Sequence, residues 1–171
     1  MAKEDRFAII RYAVGQLRDV GKTKTQKLIY FLQYVFCIPL EYVYKMHYFG
    51  PYSEELNDDL IDMRSHGYIA IERDPSGYGY HITLGNEAVD SMANMKEEHV
   101  EKLDNCLEKL GGLEPRTLEL LGAIHFVKNV ALRPLEEKSE VIEMVARLKP
   151  AFEESAIEEY YEVLEGLGAL K

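Results

Sequence analysis

A strand–turn–strand pattern near the middle of the chain constrains the fold more than any other feature. Residues 68–73 and 80–84 are rich in the β-branched and aromatic types that favour strands. Between them, residues 74–77 read Asp-Pro-Ser-Gly, a turn-forming tetrapeptide. Gly67 lies just before the first strand and is a natural residue to end a helix. The pattern predicts a β-hairpin over residues 68–84 that directly follows a helix.

Two helical segments open the chain. Apolar residues recur at helical spacing in the first, which predicts a helix over residues 5–19. The second has Thr23 or Thr25 as its N-cap and stops before Pro39, because the residue before a proline disfavours helical geometry. These helices supply two of the elements that precede the hairpin.

A short strand and a third helix connect these segments to the hairpin. Residues 44–49 alternate aromatic and polar side chains, which predicts a strand that Gly50-Pro51 breaks. Ser53 is a suitable N-cap for a helix over residues 53–66. The order helix, helix, short strand, helix, strand, turn, strand is that of a winged helix-turn-helix domain. Residues 1–84 are therefore predicted to form a winged-helix-like part.

Beyond Leu84 the periodicity is helical. Four segments carry apolar stripes, separated by Gly111-Gly112, Pro134 and Pro150. Residues 85–171 are predicted to form a helical extension that packs on the first part, either separately or within one continuous domain. The expected fold class is mainly α with a small β-hairpin.

The charge distribution excludes several classes of function. The chain has 20 Lys and Arg against 30 Asp and Glu, a formal net charge of −10. Such a balance argues against a general nucleic-acid coat and against binding to anionic membranes. One basic spot occurs at Lys22, Lys24 and Lys27. A solvated helix start is its ordinary interpretation, and contact with nucleic-acid phosphates is the alternative.

The predicted third helix is acidic, although it is the helix that would read DNA in a winged-helix protein. It carries one arginine, Arg64, and five carboxylates: Glu54, Glu55, Asp58, Asp59 and Asp62. These carboxylates oppose the phosphate attraction that supplies most nonspecific affinity. Specific binding of duplex DNA is therefore not expected.

The compartment follows from the cysteines and from the apolar runs. Cys37 and Cys106 lie in apolar stretches without CxxC spacing, which is typical of reduced thiols in the cytosol. The first residues lack the pattern of a signal peptide. The longest apolar run, residues 28–40, is too short to span a bilayer. We expect a cytoplasmic protein with no membrane segment.

Sequence motifs for catalysis are absent. The chain has no P-loop, dinucleotide-binding, HExxH or nucleophile-elbow pattern. The five histidines are scattered singly, and His47 and His81 would face each other only if their strands paired. Asp58 and Asp59 are adjacent and so point to different sides of a helix, and a solvated acidic face is their ordinary interpretation. We expect no catalytic residue, no cofactor-binding residue and no metal site.

Tyrosines are concentrated in the first half of the chain, where ten of the twelve lie between Tyr12 and Tyr80. Tyrosine combines a large rigid area with a polar end, which favours protein interfaces. Tyr44, Tyr48 and Tyr52 are expected to be exposed together around the Gly50-Pro51 turn.

This aromatic turn and the acidic third helix form the predicted partner-binding site. Its residues are Tyr48, Phe49, Gly50, Pro51, Tyr52, Asp58 and Asp62. Asp58 and Asp62 are one helical turn apart and would steer a basic partner. The alternative for Gly50-Pro51 is a purely structural role, turning the chain into the helix.

Three segments together resemble a known family. They are Lys-Thr-Gln-Lys-Leu-Ile-Tyr-Phe-Leu-Gln at residues 24–33, Tyr-Phe-Gly-Pro-Tyr-Ser at 48–53, and Leu56, Asp59-Leu60 and Gly67-Tyr68-Ile69. This cadence is similar to that of the Panacea domain and the related bacterial YwgA-like proteins, over about residues 22–70. The resemblance implies a protein-binding role, because Panacea domains are associated with antitoxins that neutralise unrelated toxins by direct contact. One relative is an adaptor that delivers its toxin to a protease.

These observations predict a non-catalytic protein–protein interaction module, either antitoxin-like or adaptor-like. A winged-helix DNA-binding transcriptional regulator is the alternative. The sequence does not identify the protein partner, and a homo-oligomer is compatible with it.

Overall fold

The computed structural model describes residues 1–170, which form a mainly helical chain with two small antiparallel sheets. In this range the helices are α1 (Lys3–Leu17), α2 (Lys22–Tyr34), α3 (Glu54–Ser65), α4 (Glu97–Leu110), α5 (Pro115–His125), α6 (Lys138–Leu148) and α7 (Glu154–Gly166). The strands are β1 (Val20–Gly21), β2 (Lys45–His47), β3 (Gly50–Tyr52), β4 (Ile69–Arg73) and β5 (Tyr80–Leu84). A 3₁₀ turn occupies Asp90–Asn94, and a π-helical turn occupies Phe126–Val130. The predicted fold class, mainly α with a small β-hairpin, is confirmed.

The signals around α3 and the hairpin act as their local chemistry predicts. Ser53 is the N-cap of α3, and its hydroxyl oxygen accepts a hydrogen bond of 3.3 Å from the Leu56 amide. Gly67 ends the segment at φ +73°, a conformation that side chains disfavour. β4 and β5 pair antiparallel with Ile71 opposite Ile82. The predicted third helix and hairpin are confirmed.

The start of α2 differs from the prediction. Val20 pairs with Ile82, so β1 adds a strand to the hairpin and the sheet order is β1-β5-β4. The N-cap of α2 is Gly21, and the predicted threonine caps are therefore wrong. Thr25 instead donates a hydrogen bond from its hydroxyl to the Gly21 carbonyl at 3.1 Å. Strand pairing with a distant segment decides where this helix begins.

A second hairpin replaces the predicted break at Gly50-Pro51. β2 and β3 pair antiparallel, with His47 opposite Gly50, and Tyr48-Phe49 forms the connecting turn. Gly50 has φ +87°, which permits the tight return of the chain. His47 and His81 lie in different sheets, so they do not face each other across paired strands.

The core joins the two parts of the chain. α2 packs against α4 and α5, and α5 packs against β3 and α7. Tyr30 on α2 is buried and shares a hydrogen bond of 2.6 Å with His125 on α5. Tyr44 is 5% exposed and packs edge-on against Tyr30, so the expectation of an exposed Tyr44 is wrong. The boundary at residue 84 stays a prediction.

Candidate partner-binding site

The Tyr48-Phe49 turn presents two aromatic rings to solvent. The side chain of Tyr48 is 80% exposed and that of Phe49 is 53% exposed. The two rings contact each other edge-on, with centroids 4.9 Å apart and planes at 82°. Aromatic residues are common anchors at protein interfaces.

A buried lysine holds the turn from the C-terminal half of the chain. Lys149 follows α6 and is 4% exposed. Its ammonium donates hydrogen bonds to the carbonyl of His47 at 3.2 Å and to the carbonyl of Tyr48. It also forms an ion pair of 2.9 Å with Glu119 on α5. The backbone of the turn is therefore fixed by groups about 100 positions away in the chain.

A second buried lysine holds β3. The ammonium of Lys27 on α2 donates a hydrogen bond of 2.8 Å to the Pro51 carbonyl. Burial lowers the pKa of Lys27 to about 8, because the charged form is poorly solvated there. Gln26 makes two further bonds to the Ser53 backbone, donating to the carbonyl at 2.9 Å and accepting from the amide at 3.0 Å. α2 thus fixes the strand that leads into α3.

Close backbone approach explains two glycines at this site. A Cβ on Gly50 would lie 3.2 Å from both the Glu119 carbonyl oxygen and the Lys27 side chain. A Cβ on Gly122 in α5 would lie 3.0 Å from the Pro51 ring. Small residues here let β3 pack directly on the helix.

The predicted site residues divide by exposure. Gly50 and Pro51 are buried beneath the turn, while Tyr52 is half-buried and lies against the His47 ring. Desolvation, followed by the carboxylates of Glu54 and Asp58, raises the pKa of Tyr52. Tyr52 therefore links the aromatic turn to the acidic face of α3.

The acidic face of α3 is less open than predicted. Asp58 is exposed. Asp62 forms an ion pair of 2.6 Å with Lys3. Asp59 is 4% exposed and binds Arg6 and the Tyr42 hydroxyl, so its interpretation as part of a solvated face is wrong.

A groove of about 740 Å³ runs beside the turn. Its walls come from the turn, the N-terminus of α2, the tip of the β4–β5 hairpin, the N-terminus of α5 and the α6–α7 connection. Sequence reasoning missed the residues that the last three segments bring here, chiefly Tyr78, Tyr80, Arg116, Pro150 and Phe152. Their positions in the chain gave no sign that they would meet.

The three lysines of the basic spot, Lys22, Lys24 and Lys27, differ in their exposure. Lys22 and Lys24 are half-buried and line the groove. Lys27 is 1% exposed, so its prediction as part of a solvated helix start is wrong. The helical spacing turns Lys27 inward, toward the carbonyl of Pro51.

His81 joins the hairpin to the connection between α1 and β1 at the edge of this groove. Its Nδ1 lies 2.7 Å from an Asp19 carboxylate oxygen, and its Nε2 bonds to Asp74. Hydrogen bonds to Asp74 and then to Asp19 raise the pKa of His81. Hydrogen bonds from Ser76 and then from His81 lower the pKa of Asp74 to about 2.

We expect this arrangement to make stability depend on pH. The contribution from protonated His81 is fully present below its ordinary pKa of about 6.5 and is lost as the pH rises through the raised value. The contribution from Asp74 is present above its ordinary pKa of about 3.9 and is lost as the pH falls through about 2. An NMR titration of the His81 ring measures the first shift, and His81→Gln should remove that part of the pH profile. A His81 pKa at or below the ordinary value would contradict the arrangement.

Across residues 1–170, no three or more His, Cys, Asp or Glu side chains are grouped so that they could hold a metal ion. Every helix in that range falls short of the length and apolar character that crossing a bilayer requires. The expectation of a non-enzymatic protein without a cofactor stays a prediction.

Taken together, the fold and the site define a mainly helical protein with a rigid aromatic turn beside a groove. No protein-family model matches the chain. The chain is similar to a protein of Bacillus subtilis (strain 168) named "Uncharacterized protein YwgA", with 26% identity over 156 residues. The matched region covers 89% of this chain and 87% of that protein. The similarity extends across both the hairpin-containing part and the helical part.

Proposed function

We propose that this protein is a non-catalytic protein–protein interaction module whose partner docks on the Tyr48-Phe49 turn and the adjoining groove. The observation that carries the proposal is the exposure of two large aromatic side chains on a backbone fixed by buried Lys27 and Lys149. A rigid turn loses little conformational entropy on binding, so more of the contact energy appears as affinity.

The roles within the predicted site follow from burial. Tyr48 and Phe49 are the proposed anchors, because desolvated aromatic residues dominate many interfaces. Tyr52 and Asp58 border them, whereas the charge of Asp62 is largely neutralised by Lys3. We assign Gly50 and Pro51 a role in shaping the turn, since both are buried.

An antitoxin-like or adaptor-like role is the biological form that we propose for this binding. It is supported by the resemblance of residues 22–70 to Panacea-domain and YwgA-like proteins. We further propose a cytoplasmic location, which agrees with the unpaired state of Cys37 and Cys106.

We also propose that residues 1–84 form a winged-helix arrangement. The sheet order β1-β5-β4 supports it, because the strand after α1 pairs with the last strand of the hairpin. This arrangement makes a DNA-binding regulator the second candidate function. Exposed Glu54, Glu55 and Asp58 on α3 oppose that candidate, since they would face the phosphates.

Affinity capture from cells that contain the natural partner tests the docking site. We expect Tyr48→Ala/Phe49→Ala to lose the partners that the unchanged protein captures. Leu132→Ala is the matched control, because this leucine is fully exposed outside the groove. Circular dichroism of each variant checks that it is folded. Retention of the same partners by the double variant would overturn the proposed site.

Fluorescence anisotropy against random-sequence duplex DNA tests the second candidate. We expect no specific binding at physiological salt. Submicromolar binding that resists added salt would replace the interaction module with a DNA-binding regulator.

A further inference from the structure

The groove beside the aromatic turn carries positive charge in a chain whose formal net charge is −10. Lys22 and Lys24 enter it from α2, and Arg116 enters it from α5. Four Lys and Arg side chains line it against two carboxylates: Glu119, which pairs with Lys149, and Asp74, which shares His81 with the nearby Asp19. Three cations therefore determine the sign of the groove.

Two helix N-termini lie at this groove. α2 and α5 both begin at the groove, with Lys22 and Pro115 among the lining residues. Of the seven helices within residues 1–170, these two are the ones without an acidic residue in the first turn. The partial positive charge of the α2 N-terminal amides is not offset by a carboxylate in the first turn or at the N-cap, whereas the N-cap residue of α5 is Glu114.

The walls between these charges are aromatic. Tyr78 is 87% exposed and Tyr80 is 51% exposed at the hairpin tip, and Phe152 in the α6–α7 connection lines the same groove. The Arg116 guanidinium lies 4.9 Å from the centroid of the Phe152 ring, and the Lys22 ammonium lies 5.8 Å from that of Tyr80. Two of the cations in the lining therefore each lie beside an aromatic ring.

We propose that the groove binds an acidic segment of the partner protein, with carboxylates facing Lys24 and Arg116 and an aromatic or leucine side chain packed beside Phe49. This inference rests on the proposed interaction function and names the chemistry of its partner. It differs from the sequence-based expectation of a basic partner steered by Asp58 and Asp62, because the Asp62 carboxylate is already paired with Lys3.

A peptide fits these observations better than a nucleic acid. Three cations that neutralise phosphates of a single strand would release few counterions. The logarithm of the binding constant would then fall with the logarithm of the salt concentration with a slope of only about −2. The net charge of −10 would repel a long polyanion from the rest of the surface. A short segment with a few carboxylates meets the local positive charge and avoids most of that repulsion.

Selection from a displayed library of random linear peptides on the full chain tests the inference. At about 0.15 M salt, we expect the enriched peptides to combine Asp or Glu with Phe, Tyr, Trp or Leu. The most enriched peptide is then synthesised with a fluorescein label and titrated by anisotropy. Its Kd should rise at least about tenfold in Lys24→Glu/Arg116→Glu, because like charges would then face each other.

Lys109→Glu/Arg133→Glu is the matched control, since it makes the same change in net charge at exposed positions outside the groove. Equal weakening in both double variants would overturn the inference, as would no enrichment or enrichment of basic or uncharged peptides. Tighter binding of a labelled single-stranded oligothymidylate would also overturn it.

Phe49→Ala separates the two proposals. Enriched peptides that lack acidic residues but lose binding to Phe49→Ala would support the docking site and overturn only the acidic-segment inference. Peptides that bind Phe49→Ala as well as the unchanged protein would overturn both proposals.

Discussion

Replacing Asp59 with alanine is expected to lower the free energy of unfolding by about 3 kcal/mol. The carboxylate is buried on the inner side of α3, where it accepts hydrogen bonds from Arg6 at 2.9 Å and from the Tyr42 hydroxyl at 2.6 Å. Its removal leaves a partly buried guanidinium and a buried hydroxyl without their acceptor. Urea denaturation of the purified variant measures the loss.

The neighbouring carboxylate provides a matched control. Asp58 is exposed on the same helix, so Asp58→Ala is expected to change the free energy of unfolding by about 0.5 kcal/mol or less. Asp59→Asn should fall between the two, because the amide oxygen still accepts a hydrogen bond but the charge is lost. Equal effects of Asp58→Ala and Asp59→Ala would contradict the assignment of Asp59 as a buried structural acceptor.

Lys149→Met is expected to cost about 3–5 kcal/mol of unfolding free energy. The substitution removes the hydrogen bonds to the His47 and Tyr48 carbonyls and leaves Glu119 as a largely buried charge without its ion pair. Amide hydrogen exchange in residues 45–52 should also become faster, since the turn loses its attachment. Urea denaturation and exchange detected by mass spectrometry measure the two effects.

Two further variants separate the effect of the Lys149 contacts from that of a general loss of charge. Lys149→Met/Glu119→Gln should recover part of the stability, because the unpaired carboxylate is gone. Lys128→Met removes a lysine that donates to the Glu136 carbonyl near the surface, and it should cost much less. If Lys149→Met lowers the free energy of unfolding no more than Lys128→Met does, the contacts of Lys149 do not stabilise the turn.

Local chemistry made several elements predictable. Ser53 caps α3 because its hydroxyl reaches an amide three residues away, and Gly67 ends the helical segment because it tolerates a positive φ. The β4–β5 hairpin follows from a turn tetrapeptide between two strand-forming runs. Each of these signals depends on residues within a few positions of one another.

The candidate site was predictable in part. Exposure of Tyr48 agrees with the expectation, whereas Tyr44, only four residues away, is buried against Tyr30. Aromatic composition alone cannot separate the two, because both types of environment suit tyrosine. The contribution of Arg116 and Phe152 to the groove depends on how α5 and the α6–α7 connection pack.

The sequence by itself determined the mainly helical class, the third helix, the β4–β5 hairpin and an aromatic segment near residue 50. Only the tertiary structure decided which charges are buried. Lys27, Asp59 and Lys149 look like ordinary surface residues in the chain, yet each meets its partners inside the protein. Burial of a charge is tolerated only where hydrogen-bond partners compensate for lost water. For these residues the partners lie between 17 and 102 positions away, where no local pattern predicts them.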